Sequence, residues 1–167
     1  MRLQHRDRGG STAVCTGRYA GVATVTFDRA RITEQLGQAA SWEAKNRLLV
    51  QIARELPALD DADRDDAHRV HGCESGVWMS LDWRDDRLTL RLDSDSRVVR
   101  GLLVLVLAAF HGRSADDILS VDFAGWLAQL GLARFLTSSR ANGLKAIVDR
   151  VRDAASRHLA DRPARYC

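Results

Sequence analysis

The chain has few cysteines, and their arrangement does not form a disulfide framework. Only three occur in 167 residues, Cys15, Cys73 and Cys167, and two of these lie near the ends. An odd number at irregular spacing excludes the scaffold of a small secreted domain. Because disulfide frameworks belong to oxidising compartments, the sequence instead predicts a protein of a reducing, cytoplasmic compartment.

The sequence also lacks a long hydrophobic run. The longest, Leu102 to Phe110, has nine residues, about half of the roughly 20 that a membrane-spanning helix requires. The N-terminal residues are polar and rich in glycine, where a signal peptide needs an apolar segment. We therefore expect no membrane partner and no secretory signal.

The sequence also lacks an excess of basic residues in the part that is expected to fold. The formal net charge is +3, but residues 1–31 hold six arginines against two aspartates, and residues 157–167 hold three arginines against one aspartate. The segment between them, residues 32–156, therefore carries net negative charge. Since a nucleic-acid-binding fold carries its basic face on the fold itself, no nucleic-acid partner is expected.

The composition that remains, 46% hydrophobic and 28% charged residues, is that of one globular domain. Residues 1–25 show no hydrophobic periodicity and predict a flexible N-terminal extension. Residues 26–157 predict the folded domain, and residues 158–167 a basic C-terminal tail.

Hydrophobic periodicity predicts the elements of this domain. Helices are expected over about residues 28–39, 42–56, 97–110 and 139–158, with short ones after Ser114 and Asp122. Alternating residues 77–84 and 88–92 predict an antiparallel hairpin, and residues 68–71 a short third strand. Helices flanking a small antiparallel sheet of about three strands define an α+β fold. The run Asp93-Ser94-Asp95-Ser96 offers several N-cap oxygens for the apolar helix that follows, and Asp93 and Asp95 are expected to be among the caps.

The segment His71-Gly72-Cys73-Glu74-Ser75-Gly76 places one cysteine between two glycines, just before the predicted hairpin. A cysteine thiolate is the best side-chain nucleophile near neutral pH, and glycine permits backbone conformations that are closed to other residues. The pattern favours a thiol displayed on a tight loop. The alternative, that Cys73 is a small buried hydrophobic residue, stays open on these residues alone.

Two other chemistries use the same thiol less well. His68, His71 and Cys73 offer three zinc ligands, but their spacing matches no common zinc pattern and the chain has no CxxC pair. A cysteine hydrolase needs a histidine base and an orienting partner. His71 is too close to Cys73 in sequence for that role, and no pattern supports His111. We therefore expect no metal site and favour a thiol that carries a group, with zinc binding and hydrolysis as alternatives.

Five blocks in order along the chain resemble the SufE/CsdE family of sulfur-acceptor proteins of iron–sulfur cluster assembly. The resemblance covers about residues 32–155. The blocks are Ser41-Trp42-Glu43-Ala44-Lys45, Leu56-Pro57-Ala58-Leu59, Gly72-Cys73-Glu74-Ser75-Gly76-Val77-Trp78, Asp93-Ser94-Asp95 with Val98-Val99-Arg100-Gly101-Leu102, and Leu136-Thr137-Ser138-Ser139-Arg140-Ala141-Asn142-Gly143-Leu144.

The resemblance implies a SufE-like fold and an accessory sulfur-transfer protein rather than an enzyme. Cys73 would accept persulfide sulfur from a pyridoxal-phosphate-dependent cysteine desulfurase and stimulate it. The sulfur would pass to an iron–sulfur scaffold or to another acceptor, such as a partner in tRNA modification. The protein itself would hold no cofactor, and a homodimer is one expectation for its assembly.

Further candidate site residues lie around the thiol, and one of them, His71, departs from the uncharged residue that is usual before the Gly-Cys of the family. Arg140, at the start of the last helix, would support the Cys73 loop or the docking face. The loop residues His71, Gly72 and Glu74, together with Asp95, would contribute to the loop and to partner docking.

Overall fold

The computed structural model describes residues 27–163, and this part of the chain confirms the predicted α+β class. The predicted extension, residues 1–25, lies outside the described residues. The elements in chain order are α1 (Arg29–Gln38), α2 (Trp42–Ile52), β1 (Val77–Arg84), β2 (Arg87–Ser94), α3 (Arg97–Phe110), α4 (Ala115–Ser120), α5 (Phe123–Gln129) and α6 (Ser138–Asp161), with short 3-10 turns at Ala53–Glu55, Asp61–Asp63 and Ala133–Phe135.

Helix α3 is the centre of the core. All of its residues from Val99 to Phe110 are buried except Arg100, as expected for a helix that is apolar nearly all round. It packs against α1, α2, β2 and α6. Fully burying one leucine or valine stabilises the fold by about 1.5–3 kcal/mol. Because α3 carries many such side chains on all of its faces, the other elements pack around it to bury them. No helix among residues 27–163 is long and apolar enough to cross a membrane.

The sheet is a hairpin of two strands rather than about three. Strands β1 and β2 pair antiparallel from Val77↔Ser94 to Arg84↔Arg87. In place of the third strand there is one isolated bridge, Arg69↔Trp78. The pairing stops there because the chain turns away from the sheet at Gly72, whose φ of +99° is available to glycine at little cost.

The expectation that Asp93 and Asp95 cap α3 is wrong. The N-cap is Ser96, whose Oγ accepts a hydrogen bond from the Val99 amide at 3.4 Å. A capping side chain must stand directly before the first helical residue, and only Ser96 does so. The two aspartates make other contacts, and these contacts hold the loop that carries Cys73.

The last helix begins as predicted, with Thr137 accepting a hydrogen bond from the Arg140 amide. It continues to Asp161 and therefore includes the first residues of the predicted C-terminal tail. His158, near its end, stacks on Trp83 of the hairpin with ring centroids 3.9 Å apart. This contact secures the end of α6 against the sheet.

Candidate functional site

Cys73 lies on a loop that rests directly on α6. The cysteine is half-buried and is the free cysteine of the described residues. A Cβ atom placed on Gly143 of α6 would stand 3.0 Å from Cβ and 3.1 Å from Sγ of Cys73. Only the absence of a side chain at Gly143 lets the loop approach the helix so closely. That absence also explains a glycine inside a helix, where it costs about 0.5–1 kcal/mol relative to alanine.

The C-terminal end of the loop is fixed at Gly76 by the residues that follow β2. The Gly76 amide donates to both carboxylate oxygens of Asp95, each at 3.1 Å. Its carbonyl accepts from the Ser94 hydroxyl at 2.7 Å and from the Asp95 amide at 3.3 Å. A Cβ on Gly76 would stand 2.6 Å from the Trp78 ring. Asp95 and Ser94 therefore clamp the backbone at a position where a larger residue does not fit.

The N-terminal end of the loop is fixed to the hairpin and to α6. The Val70 amide donates to the Val77 carbonyl at 2.8 Å. From α6, the Arg150 guanidinium donates to the Arg69 carbonyl at 3.0 Å. Residues 71–75 between these anchors make no hydrogen bond to other described residues. The loop is thus held at its two ends and by the contact of Cys73 with Gly143.

A small apolar cavity lies under the loop, next to the thiol. Its volume is about 10 Å³, room for one group the size of a water molecule. Arg140 is the charged residue of the lining, and it makes no ion pair within the described part of the chain. The full lining is Cys73, Val77, Val99, Leu102, Arg140, Gly143, Leu144 and Ile147.

Asp93 supports the clamp from behind. Its side chain is completely buried and accepts hydrogen bonds from both Arg64 and Arg100, from the Leu59 amide at 3.0 Å and from the Ser94 amide at 2.8 Å. Hydrogen bonding to Asp93 raises the pKa of the Arg64 guanidinium. This network joins the segment after α2 to the residues that hold Gly76.

The remaining predicted site residues are distributed around the loop. Gly72 provides the turn with positive φ, and His71 and Glu74 are exposed beside Cys73 without a hydrogen bond or ion pair to a described residue. His68 is engaged by another side chain, since its Nδ1 lies 2.6 Å from Asp65 Oδ1. That contact and the His68 backbone amide hold the pKa of the Asp65 carboxyl below its usual value.

The structure does not assemble the zinc or hydrolase arrangement. No group of three or more histidine, cysteine, aspartate or glutamate side chains within residues 27–163 is placed to hold a metal ion. His111 is engaged at the edge of β2, with Nδ1 3.1 Å from the Leu90 carbonyl oxygen. No histidine from the described part of the chain lines the cavity beside Cys73.

Sequence reasoning did not list Gly143, Ser94 or Arg150 as site residues. Gly143 carried a usable signal, because a glycine inside a predicted helix indicates a close approach by another segment. Ser94 and Arg150 carried none, since their roles depend on which backbone groups the fold brings to them.

The chain is similar to known proteins over most of its length. A family model described as "SufE: Fe-S metabolism associated domain" matches residues 30–155. An uncharacterized SufE-like protein of Rhizobium meliloti (strain 1021) is 34% identical over 122 residues, which cover 71% of this chain and 87% of that protein.

A solved structure supports the fold. The solution structure of a hypothetical protein from Thermus thermophilus superposes with a TM-score of 0.64 at 21% identity, covering 79% of this chain and 96% of that one. Together with the match of the family model, the relative from Rhizobium shows the family: the chain belongs to the SufE family, whose domain is associated with iron–sulfur metabolism.

Proposed function

We propose that this protein is a sulfur carrier that accepts persulfide sulfur on Cys73 from a pyridoxal-phosphate-dependent cysteine desulfurase. The observation that carries the proposal is the position of the Cys73 thiol. It lies on a loop that is held at both ends, and it lines an apolar cavity about the size of one atom. A carrier thiol has to reach a partner and then keep its sulfur away from water. The loop, held at its two ends, supports the first need, and the cavity supports the second.

The transfer is a thiol exchange that needs no external oxidant. The Cys73 thiolate attacks the terminal sulfur of the donor persulfide, and a new bond forms between Sγ and that sulfur. The sulfur–sulfur bond of the donor breaks, and its electron pair leaves on the desulfurase cysteine as a thiolate. The terminal sulfur keeps its proton as it moves to Cys73. The product is a Cys73 persulfide, which a second thiol on an iron–sulfur scaffold or another acceptor attacks in the same way.

The loop supplies the movement that this exchange requires. Cys73 is half-buried against Gly143, so the thiol has to leave that contact to meet a partner. Residues 71–75 make no hydrogen bonds to other described residues, and local opening of such a segment costs little free energy. The anchors at Val70 and Gly76 keep the displacement short. In the closed position the transferred sulfur lies in the cavity among Val77, Leu144 and Ile147.

Arg140 is the charged residue beside the transferred sulfur. It lines the same cavity as Cys73, and no carboxylate among the described residues pairs with it. The exchange carries one negative charge, which moves from the attacking Cys73 thiolate across the transferred sulfur to the leaving thiolate, so a guanidinium at the cavity stabilises it. We assign Arg140 a supporting role in sulfur uptake rather than a role in the fold.

The test is intact mass spectrometry of the full chain after incubation with a cysteine desulfurase and cysteine. The expected product is heavier by one sulfur atom, with the addition mapped to Cys73. Cys73→Ser is expected to gain nothing and to lose stimulation of the desulfurase while keeping the circular dichroism spectrum of the wild type. Arg140→Gln is expected to gain sulfur more slowly.

The matched controls are Cys15→Ser and Cys167→Ser, which are expected to accept sulfur as the wild type does. Full stimulation of the desulfurase by Cys73→Ser, or sulfur mapped to another cysteine, would overturn the proposal. Turnover of a thioester by the isolated protein would favour a hydrolase instead.

A further inference from the structure

A second concave site lies on the opposite face of α3 from the Cys73 cavity. Val99 and Leu102 of α3 line the Cys73 cavity, whereas Arg97 and Arg100 line the second one. At 3.6 residues per turn these two pairs point to opposite sides of the helix. The second cavity has a volume of about 360 Å³ and is lined by Val50, Ala53, Arg54, Arg97 and Arg100.

This pocket carries an excess of positive charge. Of the five described residues that line it, three are arginines and none is acidic. Arg54 and Arg97 are exposed, and no carboxylate within residues 27–163 lies at ion-pair distance from either. Arg100 is paired with Asp93, but that carboxylate is shared with Arg64. One carboxylate cannot neutralise two guanidinium groups, so the charge on Arg100 is also only partly offset.

Three arginines that line one cavity favour an anion there. Like charges at short range raise the free energy of the folded chain unless an opposite charge lies between them. Arg100 is held in position, because its Nη2 donates to the Leu56 carbonyl at 2.8 Å and its Nη1 contacts Asp93. Two of its five N–H donors are used there. Its remaining donors, together with those of Arg54 and Arg97, are available to a ligand in the cavity.

We propose that this pocket binds the phosphate group of a small phosphorylated molecule. Guanidinium groups bind phosphate oxygens in bidentate geometry. A doubly charged phosphate group also neutralises more of the positive charge of the three lining arginines than a single carboxylate does. The volume lies within the range of roughly 300–1,000 Å³ that is typical of small-molecule sites. A polynucleotide is not favoured, because residues 32–156 carry net negative charge. This site is independent of the sulfur chemistry at Cys73.

The test is titration of the uniformly ¹⁵N-labelled full chain with sodium phosphate, sodium pyrophosphate and ADP. Sodium chloride at equal ionic strength is the reference. All three ligands are expected to give saturable amide shifts that are confined to the ends of α2 and α3 at the pocket, and pyrophosphate to bind more tightly than phosphate. If ADP binds more tightly than pyrophosphate, the phosphate group belongs to a nucleotide. If ADP binds more weakly than pyrophosphate, the ligand is a free phosphate.

The decisive variant is the double substitution Arg54→Gln and Arg97→Gln, which leaves the Arg100–Asp93 contact in place. Each lost arginine is expected to weaken pyrophosphate binding about tenfold, the typical effect of one charge-assisted hydrogen bond. Arg47→Gln is the matched control, because this exposed arginine lies on α2 outside the pocket lining, and it is expected to bind as the wild type does.

Three results would overturn the proposal. One is a response to pyrophosphate no larger than the response to chloride. Another is equal pyrophosphate affinity in the wild type and the double variant. The third is tighter binding of a tetraglutamate peptide than of pyrophosphate at the same amides, which would make the pocket a docking point for an acidic protein segment.

Discussion

The Sγ atom of Cys73 lies against Gly143 of α6, 3.1 Å from the position that a side-chain carbon would take there. The position of the thiol is therefore set by a residue that has no side chain. The contact holds the thiol at the cavity, and residues 71–75, between the two anchors, make no hydrogen bond to another described residue. Any atom added at Gly143 presses on the cysteine first.

Gly143→Ala is expected to displace the Cys73 loop without unfolding the protein. The new Cβ is too close to Cys73, and the loop can yield because residues 71–75 make no hydrogen bonds to described residues. Alanine favours the helix by about 0.5–1 kcal/mol, so the free energy of unfolding should change by less than about 1 kcal/mol. The rate of Cys73 alkylation by iodoacetamide should rise severalfold.

Gly37→Ala is the control for that substitution. Gly37 lies in α1, and a Cβ placed there has no atom within 4 Å. It should gain the same helix propensity and leave the alkylation rate unchanged. If the loop were rigid, Gly143→Ala would give the opposite result. The free energy of unfolding would fall by more than about 2 kcal/mol, as in an overpacked core, and the rate of Cys73 alkylation would not change.

Removal of the Asp95 carboxylate is expected to release the C-terminal anchor of the loop. Asp95→Ala leaves the buried Gly76 amide without its acceptor, at a cost of about 1–3 kcal/mol in the free energy of unfolding. Hydrogen exchange at the Gly76 amide should accelerate. Asp95→Asn keeps an oxygen acceptor and should retain most of the protection. Asp153→Ala, an exposed change on α6, is the control, and equal exchange in Asp95→Ala and Asp153→Ala would show that the clamp does not hold the loop.

Loss of the buried Asp93 carboxylate is expected to be the most destabilising of these changes. Asp93→Ala leaves Arg64 and Arg100 without their shared partner, and breaking a buried ion pair in this way costs about 3–5 kcal/mol. That is a large part of the roughly 5–15 kcal/mol that stabilises a typical domain. Urea denaturation measures the loss.

Asp149→Ala provides the comparison for Asp93. Asp149 pairs with Lys145 on the exposed face of α6, and such a pair contributes about 0.3–0.5 kcal/mol. Similar losses in the two variants would mean that the Asp93 network contributes no more than a surface contact.

Asp65 is expected to make the free energy of unfolding depend on pH under acidic conditions. Its folded pKa is lowered by the His68 ring and backbone amide, so its contribution is present above the unfolded pKa of an aspartate. The contribution is lost as the pH falls through the lower folded pKa. The difference in unfolding free energy between the wild type and Asp65→Asn should therefore shrink on acidification. A difference that stays constant as the pH falls would contradict this prediction.

Much of the fold followed from local patterns. The alternating residues of the hairpin predicted β1 and β2, and the apolar stretch to Phe110 predicted the buried helix α3. The third strand was reduced to the Arg69↔Trp78 bridge because the turn at Gly72 ends the pairing. The caps expected at Asp93 and Asp95 failed because Ser96 stands directly before the first residue of α3, while Asp93 binds Arg64 and Arg100 and Asp95 binds the Gly76 amide.

The sequence by itself determined the α+β class, the central helix and a lone cysteine on a glycine-bounded loop, because each depends on residue type and spacing along the chain. Only the tertiary structure decided that Gly143 lies under Cys73, that Asp95 clamps Gly76 and that Arg64 and Arg100 share Asp93. Those contacts join residues far apart in the chain. Hydrophobic periodicity reports which face of an element is buried, but not which residue of another element it meets.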